Sequence, residues 1–282
     1  MQIDVIDFTS PHAPAAFTRS LVETGFAVLG NHPLPWPLVE QVFAEWSAFF
    51  DSDAKYDYLP DPGVEAGYFG PDVSETAKGY AVRDIKEFFH VYPWWRYPTQ
   101  VSDAALRYRA AAIEIASTLL TWVQAHTPPE VAAGYSQPLA SMIEGSERTL
   151  LRILRYPALT GLEQPGALRA AAHEDINLLT VLPSSNEPGL ELLDTGGSWH
   201  AVPCDPGSIA VNAGEMLQLA SGGYFPATTH RVVNPTGEAS RRSRMAMPLF
   251  LQAADDVVLA HGRTALSFLE ERIRELHRTE PA

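Results

Sequence analysis

The pattern of hydrophobic and polar positions changes at about residue 147. Before that point, apolar residues recur at spacings of three and four, which predicts amphipathic helices. After it, short apolar runs alternate with turn residues about every eight to twelve residues, as in barrels and sandwiches. We therefore predict a helical first part that buttresses a β-rich second part.

The first part contains three predicted helices and two predicted strands. They are a strand at 3–8, a helix at 14–23, a strand at 25–30, a helix at 39–50 and a helix at 103–126. The apolar stripe of the last and longest helix is Leu106, Ala110, Ile113, Ser117, Leu120 and Val123. The aromatic stretch at 66–95 is expected to cover the barrel mouth, although packing is the simpler explanation for each candidate contact: Tyr68, Phe69, Tyr80, Phe88 and His90.

Eight strands are predicted in the second part, at 150–156, 176–182, 190–193, 199–202, 208–212, 216–220, 229–233 and 243–251. Gly196-Gly197 and the segment 234–237 are typical hairpin turns. A helix at 265–278 closes the chain. The pattern predicts a mixed, mainly β fold in a single domain, 1–282. Its parts would be a helical and strand part at 1–146, a barrel core at 147–252 and a C-terminal helical segment at 253–282.

Composition and charge exclude several classes of partner. The 282 residues are 46% hydrophobic and carry a formal net charge of -14. Such acidity argues against nucleic-acid binding and against docking on anionic membranes. The chain has one cysteine, Cys204, no signal-like start and no apolar run long enough to span a membrane, so we expect a cytoplasmic protein. Composition does not determine its oligomeric state.

Candidate chemistry begins at His173-Glu174-Asp175. On a β-strand, side chains two positions apart point to the same face, while Glu174 would point away. A histidine from a distant strand, His230, would complete a set of two histidines and one carboxylate, which binds iron(II) and leaves one face of the metal open. The simpler alternatives are a core histidine at His230 and a turn-forming Asp175.

An arginine on the last predicted strand strengthens the first interpretation. Alternation places Arg242, Arg244, Ala246 and Pro248 on one face. If this face points inward, Arg244 is a buried cation that requires an anionic partner, and the carboxylate of a ligand is a natural candidate. Arg152 could face the same cavity and meet an acidic substrate, but a surface position is equally consistent.

Seven ordered segments resemble the isopenicillin N synthase-like branch of the iron(II)/2-oxoglutarate-dependent oxygenases. They are 25–32, 84–89, 152–157, 173–180, 207–215, 229–233 and 244–250. They include Gly-Phe ending in Asn-His, Asp-x-Lys-Glu, a strand ending in Tyr-Pro, His-x-Asp, His-Arg-Val and Arg-x-x-x-Pro. Several ordered motifs together are far more specific than any one of them.

The resemblance implies a double-stranded β-helix (jelly-roll) core buttressed by N-terminal helices, one long central helix and a C-terminal helix. It also implies His173, Asp175 and His230 as catalytic iron ligands. Arg244 would pair with the distal carboxylate of 2-oxoglutarate, and Tyr156 would donate a hydrogen bond to the same group. The implied cofactors are Fe(II), 2-oxoglutarate and O2. The implied reaction couples oxidative decarboxylation of 2-oxoglutarate to hydroxylation, desaturation or cyclisation of a small molecule.

Two departures from the family pattern leave an alternative open. Ala246 stands where the family has a serine, and Leu154-Arg155 replaces an asparagine and a tyrosine. A lost hydrogen bond to a charged group costs roughly 1.5–3 kcal/mol unless a water replaces it. An oxidase of isopenicillin N synthase type, with the same iron site but no 2-oxoglutarate, therefore remains an alternative. A third is a barrel that binds metal or ligand without catalysis.

Overall fold

Two β-sheets face each other in the computed structural model, which describes residues 3–73 and 82–278. Tyr80 lies outside the described residues. The strands are β1 (Val5–Asp7), β2 (Phe26–Gly30), β3 (Gly67–Phe69), β4 (Glu87–Val91), β5 (Leu150–Tyr156), β6 (Ala170–His173), β7 (Leu179–Pro183), β8 (Leu190–Leu193), β9 (Trp199–Ala201), β10 (Ile209–Ala213), β11 (His230–Val232), β12 (Arg244–Ala246), β13 (Leu249–Leu251), β14 (Val258–Ala260) and β15 (Arg263–Thr264).

The helices of the described residues are α1 (Ala13–Thr24), α2 (Trp36–Asp51), α3 (Ala104–Ala125), α4 (Pro129–Ala132), α5 (Glu215–Ala220) and α6 (Ala265–Arg278). Short 3-10 helices occur at Asp53–Tyr58, Pro71–Val73, Leu139–Ile143 and Gly237–Arg241. None of the described helices combines the length and the apolar composition that crossing a membrane requires.

The large sheet has the strand order β1-β2-β10-β7-β13-β5-β4-β3, and β12 also pairs with β5. The small sheet has the order β6-β11-β8-β9, and β14 pairs with β15 separately. Apart from the parallel β1–β2 pair, the described pairings are antiparallel. This mainly β core with helices at both ends is the jelly-roll that the sequence predicted.

Side chains alternate between the two faces of the large sheet, as a strand period of two requires. On β5, Leu151 and Ile153 pack toward the helices, whereas Leu154 and Tyr156 belong to the cluster between the sheets. The predicted alternation along the last strands is confirmed from Arg244 onward, because Arg244, Ala246 and Pro248 all line the inner cavity. On β5 and β12, one face thus packs into the core and the other lines the cavity.

The long helix α3 was placed correctly, but the first two positions of its predicted stripe, Leu106 and Ala110, were wrong. Leu106 is exposed, and Tyr108 is fully buried in its place. The buried face includes four alanines of the helix: Ala104, Ala105, Ala112 and Ala116. Small side chains let α3 lie close to the sheet, and the Tyr108 hydroxyl donates to the Met247 carbonyl oxygen at 3.2 Å. The prediction followed the larger apolar residues and missed this close approach.

Several other details of the part after residue 147 differ from the prediction. The predicted strand at 216–220 is helix α5, the predicted strand at 243–251 is divided into β12 and β13, and β6, β14 and β15 were not predicted. The segment 237–241 that follows the predicted hairpin turn forms a 3-10 helix. The remaining predicted strands of this part are present, with shifts of up to three residues at their ends.

Candidate metal centre

His173, Asp175 and His230 meet between the two sheets. Each offers one ligand atom, and these atoms all lie within 4.8 Å of one another. Asp175 Oδ1 lies 3.9 Å from His173 Nε2 and 3.7 Å from His230 Nε2. The two imidazole rings, whose centroids are 4.4 Å apart, come from paired strands in which His230 is the register partner of His173. The antiparallel β6–β11 pair therefore brings together two residues that are far apart in the sequence.

Both imidazoles are held in the tautomer that suits metal binding. His173 Nδ1 donates to the Ala171 carbonyl oxygen at 2.7 Å, and His230 Nδ1 donates to that of Thr228 at 3.1 Å. In a neutral imidazole, a proton on Nδ1 leaves the lone pair on Nε2. Both Nε2 atoms face Asp175, and Phe26 packs edge-on against the His230 ring. The histidines are thus oriented as ligands before any metal binds.

The carboxylate of Asp175 is oriented through one of its two oxygens. Oδ2 accepts hydrogen bonds from Thr180 Oγ1 at 2.5 Å and from Asn212 Nδ2 at 2.8 Å. Thr180 Oγ1 in turn accepts from Asn177 Nδ2 at 2.9 Å, which fixes the direction in which the hydroxyl donates. Oδ1, the atom near the two Nε2 atoms, is left for a metal.

Asp175 is not on a strand, which corrects the reason for which the sequence paired it with His173. Strand β6 ends at His173, and Asp175 lies in the loop before β7. This loop is held by helix α5, because the Glu215 N–H donates to the Asp175 carbonyl oxygen at 2.8 Å. Glu174 is exposed and accepts from the Thr229 hydroxyl, which agrees with the prediction that it points away from the site.

The ionisation states also suit a cationic metal. Desolvation by the surrounding protein and, after it, the charge of the neighbouring His230 lower the pKa of His173 to about 4, so this imidazole is neutral at pH 7. Burial opposes ionisation of Asp175, but the two histidines, Asn212 and Thr180 outweigh it and lower the pKa of Asp175. A carboxylate oxygen and the ring nitrogens of two histidines are the donor set that iron(II) takes in sites of this kind.

A cavity that is partly open to solvent extends from this cluster along the inner face of the large sheet. Besides the three clustered residues, charged side chains on its wall come from Lys86, Arg152 and Arg244. Apolar lining comes from both sheets and includes Leu154, Leu182, Leu190, Val232 and Phe250.

Arg244 and Tyr156 are register partners on β12 and β5 at one end of the cavity. Arg244 is 3% exposed, and its Nε donates to the Glu187 carbonyl oxygen at 2.9 Å. Burial lowers the pKa of Arg244, and the adjacent Tyr156 acts in the opposite direction. Among the described residues, no carboxylate lies within ion-pair distance of Arg244. A buried guanidinium in this state fits an anionic ligand.

The departures from the family pattern now have locations. Ala246 lines the cavity two residues from Arg244, so the hydroxyl expected of a serine is missing at this wall. Arg155 points to the other face of β5, where its Nε donates to Glu87 Oε1 at 2.7 Å. Lys55 and Tyr68 also donate to Glu87. Arg155 therefore ties β4 and β5 to the outer helices and does not touch the cavity.

The aromatic candidates lie on β3 and β4 and divide between the two faces of the large sheet. Tyr68 is buried in the Glu87 network and away from the cavity. Phe88 packs against the Arg152 guanidinium, and Phe69 stacks on Phe88 with ring centroids 4.9 Å apart. His90 accepts a hydrogen bond from Arg152.

Sequence reasoning missed Lys86, Thr180 and the role of Asn177. The signal for Thr180 was present, since Asp175 and Thr180 flank the start of a strand whose inner face was predictable. Lys86 lies just before β4, lines the cavity and lowers the pKa of His173. Its signal was the Asp-x-Lys-Glu segment at 84–89, which was used only as a mark of the family.

The fold and this cluster define a class of metal-dependent oxygenase, and comparisons with known proteins agree. The 2OG-Fe(II) oxygenase superfamily matches residues 149–253, and the N-terminal region of non-haem dioxygenases in morphine synthesis matches residues 3–110. A protein of Shewanella oneidensis described as an oxygenase is 48% identical, with a TM-score of 0.89 over 98% of this chain and 99% of its own.

Two further relatives cover most of both chains. A protein of Caulobacter crescentus, described as a member of the 2OG-Fe(II) oxygenase family, is 26% identical with a TM-score of 0.80, over 97% of this chain and 99% of its own. Proline hydroxylase buaE of Petromyces alliaceus is 27% identical over 84% of this chain and 82% of its own.

The chain belongs to the 2OG-Fe(II) oxygenase superfamily, which confirms the resemblance stated from its sequence. It is an iron(II)- and 2-oxoglutarate-dependent dioxygenase that oxygenates a small molecule, with O2 as the other co-substrate.

Proposed function

We propose that His173, Asp175 and His230 are the catalytic iron ligands, and that Arg244 and Tyr156 bind the distal carboxylate of 2-oxoglutarate. The observation that carries this proposal is the convergence of Asp175 Oδ1 and two Nε2 atoms whose partner atoms are already hydrogen-bonded. Bound there, iron(II) and 2-oxoglutarate would supply the oxidative decarboxylation that drives hydroxylation, desaturation or cyclisation of the substrate.

The residues of the chain contribute geometry and charge. Thr180 and Asn212 hold the Asp175 carboxylate, and the Ala171 and Thr228 carbonyl groups hold the imidazoles. Arg244 offers the planar donor fork that suits a carboxylate. The apolar wall that Leu182, Leu190 and Val232 contribute excludes water from the reacting atoms. No acid–base pair is required, so Glu174 has no catalytic role in this proposal.

An anaerobic titration tests the co-substrate assignment. Adding 2-oxoglutarate to the iron(II)-loaded protein should produce a metal-to-ligand charge-transfer band in the visible region. Replacing Arg244 with Gln should weaken 2-oxoglutarate binding about 10- to 100-fold, because a charged hydrogen-bond donor is lost. Arg241→Gln is the matched control, because Arg241 is an exposed arginine three residues earlier. If iron binds but no band forms, the assignment of 2-oxoglutarate to this site is wrong.

Replacing His230 with Ala tests the metal assignment. The variant should lose iron-dependent turnover of 2-oxoglutarate, because one of three protein ligands is gone. Retained turnover would refute the assignment. The alternative of an oxidase that uses no 2-oxoglutarate is not favoured by any contact among the described residues, although Ala246 leaves the co-substrate wall with one donor fewer.

We further propose that residues 1–282 act as one oxygenase domain in the cytoplasm, without a nucleic-acid or membrane partner. The net charge of -14 and the single cysteine support this setting. The packing of α1, α2 and α3 against the outer face of the large sheet supports a single unit.

A further inference from the structure

The large sheet combines a missing hydroxyl and an unpaired one near Arg244. Ala246 lines the cavity two residues from Arg244, at the position where the family has a serine. Ser184 is 7% exposed, and its hydroxyl oxygen is buried without a hydrogen-bond partner among the described residues. A buried hydroxyl in this state costs free energy unless a ligand or a water satisfies it, so Ser184 needs a physical explanation.

The register of the large sheet places Ser184 opposite Ala246. In the antiparallel β7–β13 pair, Leu249 is the register partner of Val181. Three residues further along each strand, the same register pairs Ala246 with Ser184. β12 and β13 keep one common register toward β5, so no bulge lies between them that would shift this pairing.

The chain beyond the end of β7 stays beside its neighbouring strands. The Ser184 N–H donates to the Ser208 carbonyl oxygen at 2.9 Å, which extends the β7–β10 ladder by one residue. On the other side, Asn186 Oδ1 accepts the Met245 N–H at 2.8 Å. The segment 184–186 therefore lies between β10 and β12, as the continued register requires.

Side-chain alternation places Ser184 on the cavity side of the large sheet. Thr180 and Leu182 line the cavity from β7, and Ser184 is the next residue of the same face. Ser185, which follows it, belongs to the opposite face. Directly opposed side chains of an antiparallel pair have Cβ atoms about 5 Å apart. The Ser184 side chain is therefore the neighbour of the Ala246 methyl group.

We propose that the Ser184 hydroxyl donates a hydrogen bond to the distal carboxylate of 2-oxoglutarate, in place of the serine that Ala246 replaces. This inference rests on the proposed function, in which Arg244 and Tyr156 bind that carboxylate from β12 and β5. A carboxylate accepts about four hydrogen bonds, so these two residues leave room for a further donor. Ser184 supplies it from the β7 side of β12, whereas Tyr156 lies on the β5 side.

Anaerobic binding of 2-oxoglutarate to the iron(II)-loaded protein tests this role. The readouts are titration of the charge-transfer band and the rise in thermal unfolding midpoint with 2-oxoglutarate. Ser184→Ala should weaken binding about tenfold or more, because a donor to a charged group is lost. The comparison ligand is 2-oxopentanoate, which has the same keto-acid end but a methyl group in place of the distal carboxylate. Its binding should be equally weak in the wild type and in Ser184→Ala.

Ser185→Ala is the matched control. Ser185 is 8% exposed, and its hydroxyl oxygen also has no partner in the part of the chain that the structure describes. Because alternation turns it away from the cavity, its loss should leave the affinity for 2-oxoglutarate unchanged. Neither substitution should lower the unfolding midpoint of the metal-free protein, since each removes an unpaired buried hydroxyl. A merely structural role for Ser184 would lower that midpoint and affect both keto acids alike.

The double substitution of Ser184→Ala with Ala246→Ser returns a hydroxyl to the position that the family uses, and it should recover most of the affinity for 2-oxoglutarate. The proposal is overturned if Ser184→Ala binds 2-oxoglutarate as tightly as the wild type, if it weakens 2-oxopentanoate equally, or if the double variant recovers no affinity. Failure of the proposed function differs from this, because Arg244→Gln would then leave the affinity for 2-oxoglutarate unchanged. Failure of the present inference alone leaves the effect of Arg244→Gln intact.

Discussion

At the scale of single residues, the site depends on how the two oxygens of Asp175 are divided. Oδ2 is engaged by Thr180 and Asn212, and Oδ1 faces the two imidazoles. A carboxylate that could rotate freely would have to be ordered when the metal binds, and this ordering would reduce affinity. The hydrogen bonds from Thr180 and Asn212 therefore preorganise the Asp175 carboxylate for metal binding.

Removing the Thr180 hydroxyl should weaken iron binding. We expect Thr180→Val to lower iron(II) affinity about 10- to 100-fold, as is usual when a residue that orients a metal ligand is lost. Anaerobic titration calorimetry with iron(II) measures this effect. Thr180→Ser keeps the hydroxyl and should stay near the wild-type affinity. Equal losses in both variants would show that packing of the threonine methyl group, rather than its hydrogen bond, supports the site.

The metal-free protein should lose stability in a defined pH window because of His173. Its pKa in the folded state is about 4, below the usual 6.5, so between these values the unfolded chain binds more protons. The free energy of unfolding should therefore fall as the pH is lowered from about 6.5 to about 4, and His173 should contribute no further loss below that. Urea denaturation across this range checks the slope. His173→Asn should flatten it, whereas His12→Asn, at an exposed position, should not.

At the scale of elements, the sequence predicted strands correctly where the alternation of side chains and the flanking turn residues indicated the same element. Strand β5 was placed at its observed bounds, and the inner face of β12 followed from alternation. The prediction of a strand at 216–220 was wrong because so short an apolar run, which includes Met216, Leu217 and Ala220, is compatible with either a buried strand or a buried helix. The close contacts of Gly214 and Glu215 with the 175–178 loop decide in favour of a helix.

Strand β6 was missed because nothing local favours a strand. Ala170, Ala171 and Ala172 prefer helices. The strand forms because β11 pairs with it and because the Asp84 carboxylate accepts the Ala171 N–H. The division between β12 and β13 lies at Pro248, which has no N–H to donate to a neighbouring strand. These features depend on partners distant in sequence, so a single sequence read by local pattern does not contain them.

The junction between β10 and α5 should not tolerate a side chain at Gly214. Its φ of -104° is open to any residue, so the constraint is steric. A Cβ there would overlap the Asn177 carbonyl oxygen. We expect Gly214→Ala to cost about 1–3 kcal/mol of unfolding free energy and to weaken iron binding, since the same loop carries Asp175. Chemical denaturation and iron titration measure the two effects.

Gly134→Ala is the control for that substitution. Gly134 is exposed, and its Cβ would meet a single neighbouring atom, the Val131 carbonyl oxygen at 3.2 Å. Its iron affinity should equal that of the wild type. A Gly214→Ala protein with unchanged iron affinity would show that the 175–178 loop is held independently of α5.

At the scale of the whole molecule, the proposed iron site joins elements that are otherwise held apart. His173 and His230 belong to the small sheet. Asp175 lies in the loop that leads to β7 of the large sheet and is held there by Thr180 and Asn212 of that sheet. The cluster between the sheets is smaller than the core between the large sheet and the helices. The small sheet should therefore depend on the metal more than the rest of the fold does.

Chelation should lower the unfolding midpoint of the loaded protein, because iron binds the folded chain and the unfolded chain does not present the three ligands together. With free iron(II) at about 100 times Kd, linkage contributes about 2.7 kcal/mol, or on the order of 5–10 °C for a chain of this size. Differential scanning calorimetry with and without EDTA measures this difference. His230→Ala should show almost no difference in unfolding midpoint with and without EDTA.

Hydrogen exchange should show which elements the metal stabilises. Removing iron should lower protection in β6, β11 and the 174–178 loop, while α3 keeps its protection. Uniform loss across the molecule would mean that the metal does not selectively hold the small sheet.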